Sequence, residues 1–193
     1  IDYVTLASEG NAIDFGNLSS PRQPPTSFSS STRGITAGGY VSSPGSYSNI
    51  IDYVEIGTLG NAIDFGDMTV GRGGPASVSS PTRGVIAGGI SPTMETNTDF
   101  VTIASTGNAT DFGKLTAGVR FGGASNPTRG IFTCAGPGPN YHGVGYQYIT
   151  IASTGNAQYF ADMISQLRGA GTADQTRAVF GGGSSPARLN TLE

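Results

Sequence analysis

Three aspartates, one histidine and one cysteine are the residues of this chain best suited to catalysis or metal binding. Asp14, Asp64 and Asp111 each stand directly before a phenylalanine, and Tyr159 takes the corresponding place before Phe160. Such carboxylates can ligate a cation or act as general acids. A reaction needs unlike roles from its groups, however, and these aspartates recur in like surroundings. Their pattern points instead to a repeated hydrogen bond, to an arginine or to the amides of a turn. His142 is the only histidine, which excludes a multi-histidine metal site or proton relay. No Gly-x-Ser-x-Gly elbow accompanies it for Ser-His-Asp chemistry. Cys134 stands alone, so no internal disulfide or cysteine metal site forms, and Thr133 and Ala135 beside it mark a buried small residue. The run Gly181-Gly182-Gly183 ends a strand and lacks the strand-to-helix setting of a phosphate loop. These residues predict no catalytic group, no metal and no cofactor.

Binding is better provided for. Four connectors differ in length and composition: residues 40–49, 90–98, 137–147 and 184–190. The third carries Asn140, Tyr141, His142 and Tyr146 among proline and glycine. Exposed Tyr and His stack on sugar rings or anchor a protein contact, and Asn adds directional hydrogen bonds. These four are the expected ligand-binding residues. The alternative is that the aromatic rings pack locally over a sheet edge.

The elements that must position such loops follow from a repeat. Gly-Asn-Ala occurs at 10–12, 60–62, 107–109 and 155–157, at intervals of 50, 47 and 48 residues. Thr-Arg followed by a small residue recurs at 32–34, 82–84, 128–130 and 176–178. Eight of the ten basic residues fall at repeat-equivalent positions: Arg22, Arg72, Arg120 and Arg168, then Arg33, Arg83, Arg129 and Arg177. A period of this length indicates a propeller or another repeat array. Each unit contains four short strand-like segments punctuated by Gly and Pro. The first is built of small residues, such as Ala76-Ser77-Val78-Ser79, and suits the crowded axis of a ring. The third alternates, with Val4/Leu6, Val54/Ile56, Val101/Ile103 and Ile149/Ile151 on one face. The fourth carries Phe15, Phe65, Phe112 and Phe160, which would fill the wider outer wedge.

The expected fold is therefore all-β: a four-bladed β-propeller of about 48-residue, four-stranded repeats in one domain, 1–193. The repeats run 19–66, 67–113, 114–161, and 162–193 together with 1–18. Leu192-Glu193 falls in the register of Ile51-Asp52 and of Ile1-Asp2, so the last blade is expected to be closed by both termini.

The order of a small strand, a hydrophobic strand ending in Gly-Gly (38–39, 88–89, 182–183), a variable loop and an aromatic-bearing strand (Tyr3, Tyr53, Phe100, Tyr148) resembles the Kelch repeat. The third repeat has Cys134-Ala135 in place of the Gly pair, and Phe stands where Kelch units usually carry Trp. The chromosome-condensation-regulator type of propeller has a similar period. The segment Gly-Asn-Ala-x-Asp-Phe-Gly with Thr-Arg-Gly is also similar to repeats of tailed-bacteriophage virion proteins, fibre-like ones among them. The resemblance implies a non-enzymatic binding or structural module, virion-borne or extracellular, whose partners are a host-surface glycan or other virion proteins. A secreted or cell-surface lectin is the alternative, and a Kelch-type oxidase a more distant one.

Composition agrees. The chain has 193 residues, a net charge of −3 and no basic tract, which argues against a nucleic-acid partner. No apolar run approaches the roughly 18 residues of a membrane helix, so no membrane insertion is expected. No signal peptide is apparent, and the start at Ile1 is compatible with processing.

Overall fold

A computed structural model describes residues 1–134, 145–163, 169–182 and 192. The chain is all-β, with 18 strands in antiparallel sheets and no helix among the described residues. At the N-terminus β1 (Asp2–Tyr3) pairs with β2 (Ile13–Asp14). The first complete unit contains β3 (Thr26–Ser29) and β4 (Arg33–Ala37). A small hairpin follows, β5 (Tyr40–Val41) with β6 (Ser46–Tyr47), and then β7 (Ile50–Glu55) and β8 (Ile63–Asp67). The second unit is β9 (Ala76–Ser79), β10 (Arg83–Ala87), β11 (Asn97–Thr102) and β12 (Thr110–Lys114). The third is β13 (Gly123–Ser125), β14 (Arg129–Thr133), β15 (Tyr146–Thr150) and β16 (Gln158–Ala161). The chain then forms β17 (Ala170–Ala173) and β18 (Ala178–Gly181).

Each complete unit is a meander whose strands pair in chain order, β3-β4-β7-β8, β9-β10-β11-β12 and β13-β14-β15-β16. The Thr-Arg motif explains the first hairpin of each. Ser30 and Ser80 Oγ accept from the amides of Arg33 and Arg83, and Asn126 and Asp174 Oδ1 accept from those of Arg129 and Arg177. A short side-chain oxygen closes the turn in every repeat.

The inner strands β3, β9, β13 and β17 pack side by side in that order. Small residues permit this, and hydroxyls stitch it: Thr26 Oγ1 donates to Ser77 Oγ, and Ser125 Oγ to Ser79 O. No isolated unit owns a core. One cluster joins Ile35, Ile51 and Phe65 of the first sheet to Ile86, Val101 and Ile103 of the second. Another joins Val85, Phe112 and Leu115 of the second to Phe132, Ile149 and Ile151 of the third. A smaller one joins Ala124 to Phe180 on β18. Burial lies between neighbours, as in repeat proteins generally.

The alternation expected of the third strand has the right phase, but burial depends on having a preceding neighbour. Val101, Ile103, Ile149 and Ile151 are buried, whereas Leu6 is 99% exposed and Ile56 48%. Leu6 and Ile56 lie in the turns just beyond β1 and β7, and no complete sheet packs against that side of either among the described residues.

Among the described residues no sheet joins the two ends, so the expected fourth blade is not shown. β1–β2 and β17–β18 are separate two-stranded sheets, and no comparable packing returns from β17 to β3 among the described residues. Pairing on β18 gives one reason. Leu192 bridges to Gly181 as Ile51 does to Ala37, which takes the position that Ile1 would need.

Candidate functional site

The repeated polar residues were the first candidates for chemistry, and the structure uses them as architecture. Arg22 and Arg72 lie just before the inner strands and are buried with an acid from the third strand of their own sheet. Arg22 Nη2 is 2.8 Å from Asp52 Oδ2, and Arg72 Nη2 is 2.7 Å from Asp99 Oδ2, with all four side chains inaccessible. Ser19 and Thr69 each donate to the same carboxylates through backbone amide and hydroxyl. Arg22 also donates to Gly38 O at the Gly pair. In the third unit Gln147 takes the acid's place, accepting from the Thr116 amide and hydroxyl and donating to Ala117 O. Burial draws the Arg72 guanidinium below its usual range, with Asp99 opposing that shift. The sequence reading placed the arginines in a series but missed Asp52 and Asp99. Their 47-residue spacing, matching the spacing of the sheets, was the signal that could have found them.

The second arginine series joins sheets. Arg33 lies 4.3 Å over the Tyr53 ring and donates through Nη1 to Ile103 O of the next unit, 2.9 Å away. Arg83 repeats this over Phe100 and donates to Ile151 O.

Gly-Asn-Ala is a clamp between units. The Gly60 amide donates to Phe15 O at 2.9 Å, the Ala62 amide to Asn17 O at 2.8 Å, and Asn61 Oδ1 accepts from the Asn17 amide at 2.9 Å. Gly107, Asn108 and Ala109 bind Phe65 and Asp67 in the same way. Gly155, Asn156 and Ala157 bind Phe112 and Lys114. The segments at Phe15–Asn17, Phe65–Asp67 and Phe112–Lys114 are thus each gripped by the turn of the following unit through three hydrogen bonds. Asp64 and Asp111, the suspected ligands, accept from the amides of Gly66 and Gly113 two residues on. That is the turn-amide bond expected of them. No group of three or more His, Cys, Asp or Glu that could hold a metal occurs among the described residues.

Cys134 is buried, and burial pushes its thiol up to about 11, with a hydrogen bond to Gln147 acting in the other direction. At neutral pH it is a protonated, unreactive thiol.

Of the expected binding residues, Asn140, Tyr141 and His142 lie outside the described residues. Tyr146 belongs to β15, not to a free loop, and its ring lies 5.0 Å from that of Phe180 at the junction with β18. That is the local packing which stood as the alternative. An apolar cavity of about 360 Å³ opens beside it, lined by Ile131, Phe160, Arg177 and Phe180 among others. A wider cleft of about 750 Å³ lies between the N-terminal segment and the first irregular connector, where Arg22, Gln23, Tyr40 and Ser42 meet. Tyr40 and Tyr47 pack edge to face across the β5–β6 hairpin, centroids 5.4 Å apart. No protein-family model and no curated protein sequence matches the chain.

Proposed function

We propose that this chain is a non-enzymatic scaffold of the β-propeller type, its sheets serving as blades and its irregular connectors as the recognition surface. One observation carries the reading: the charged and polar residues that recur from unit to unit are occupied inside the scaffold, the arginine–aspartate pairs within a unit and the clamps between units. Arg22 with Asp52, Arg72 with Asp99, and the three working Gly-Asn-Ala clamps leave few recurrent groups to meet a ligand. Recognition falls to the segments that differ, which are rich in Tyr, Asn and Ser. Tyr40, at the open cleft, offers the kind of aromatic face that stacks on a sugar ring. The likeness of the repeats to those of tailed-bacteriophage virion proteins supports a virion or otherwise extracellular setting. The partner is then a host-surface glycan or another virion protein.

Screening the protein on a glycan array, with Tyr40→Ala and Tyr141→Ala/His142→Ala variants, tests the reading. Saturable binding that falls in one of the variants is expected. Several equivalent sugar sites per chain would favour a lectin. Absence of any glycan binding, together with absence of the chain from purified virions by mass spectrometry, would overturn the proposal.

A further inference from the structure

Among the described residues one clamp sequence and one fourth strand are not engaged, and they are complementary in kind. Gly10, Asn11 and Ala12 repeat the clamp sequence but grip no strand among the described residues, and all three are exposed. Ala109 and Ala157, which do grip one, are buried. β16 is the fourth strand of a complete sheet that no Gly-Asn-Ala turn grips among the described residues. Phe160 there is 45% exposed, whereas Phe15, Phe65 and Phe112 are buried. A surface with a free donor end and a free acceptor end joins to itself, either within one chain or copy to copy without limit.

The acceptor strand departs from the others at the point of contact. Gly16, Gly66 and Gly113 follow the gripped phenylalanines, with φ of +149°, +142° and +143°. A Cβ on any of them would collide with the carbonyl of the clamping glycine: Gly60, Gly107 and Gly155 respectively. The corresponding residue of β16 is Ala161. It carries that Cβ, and its backbone does not take the positive φ, since Phe121 is the only non-glycine to do so among the described residues. Tyr159 also replaces the aspartate that holds the glycine amide, and its hydroxyl donates to Asp162 instead. The clamp sequence is intact, although Gly10 does not take the positive φ of Gly60, Gly107 and Gly155, and the strand end is changed.

We propose that Ala161 is a built-in block that keeps the chain's own Gly10-Asn11-Ala12 clamp from seating on β16, whether of the same molecule or of a second copy. The device resembles the ways in which exposed sheet edges are protected from pairing. One methyl group suffices because the clamp approaches through backbone atoms, which have no rotamer with which to give way.

Residue-resolved amide hydrogen exchange on the full chain tests this. In the wild type, the Gly10 and Ala12 amides should exchange freely while those of Gly60, Ala62, Gly107, Ala109, Gly155 and Ala157 are protected. In Ala161→Gly, at high protein concentration, Gly10 and Ala12 should slow by about tenfold or more. Native mass spectrometry then tells whether one chain or several are joined. Tyr159→Asp alone should leave both amides fast. Conversely, Gly113→Ala should release the Gly155 and Ala157 amides while the first two sheets stay protected. Protection of Gly10 and Ala12 in the wild type, or unchanged exchange in Ala161→Gly, would overturn the proposal.

Discussion

Asp99 has no access to solvent, and only its pairing with Arg72 and the two donors of Thr69 make that burial tolerable. Removing one member leaves the other charge stranded, at a cost of about 3–5 kcal/mol. Arg72→Ala should therefore lower stability by that order in urea denaturation. Arg33 pairs with Glu55 at the surface, where the carboxylate is 46% exposed, so Glu55→Gln should cost at most about 1 kcal/mol. Cys134 offers a chemical check at the same scale. With its thiol pushed up to about 11, alkylation of the native protein should stay slow through neutral pH and accelerate only as that value is approached. Rapid labelling at pH 8 would contradict its buried, protonated state. Asp174 shifts the other way: the amides of Arg177 and Thr176, with the Thr176 hydroxyl, hold its carboxyl below the usual range. A lowered folded value means that the turn's contribution is present above the unfolded value and is lost as pH falls through the folded one. An NMR titration should place the Asp174 midpoint below that of a free aspartate.

At the scale of elements, the clamp separates copies of the same residue by their surroundings. Asn108 accepts from the Asp67 amide, whereas Asn11 grips no strand. Asn108→Ala should cost about 1 kcal/mol, the net worth of one hydrogen bond, and Asn11→Ala close to nothing. Equal losses in thermal unfolding would show that both clamps are engaged. This contrast also marks how far the sequence could be read. The four short segments per unit, the small inner strand and the phase of Val101 and Ile103 were legible because strand periodicity and turn residues act locally. The exposure of Leu6 and Ile56 was not, because a residue's burial here depends on whether another unit lies before it. Asp52 and Asp99 escaped notice because they sit inside strands, 27 to 30 residues from the arginines they neutralise. Gly-Asn-Ala stood out at once as a marker, but its role lies in contacts with a strand more than 40 residues back, which no local pattern displays. Tyr146 was read as a loop residue because glycine and proline precede it; pairing with Thr133 draws it into β15.

Across the whole molecule, the absence of a private core in any unit makes stability a property of junctions. The second sheet shares large clusters on both sides, while β1–β2 is a two-stranded sheet that contributes to neither cluster. Arrays of this kind unfold from their ends. Hydrogen exchange should be slowest in β10 and β11 and fastest in β1 and β2. Truncating Ile103 to Ala should cost about 2–4 kcal/mol, and truncating its counterpart Leu6 almost nothing.

The hydrogen bonds by which each Gly-Asn-Ala turn holds the strand before it fall on main-chain atoms and on one asparagine, so they place little demand on the residue that follows. The position after each alanine varies, as Ile13, Ile63, Thr110 and Gln158. A segment of one period, copied whole, therefore carries the hydrogen-bonding half of both its junctions with it, and only the apolar side chains packed between sheets must be matched anew.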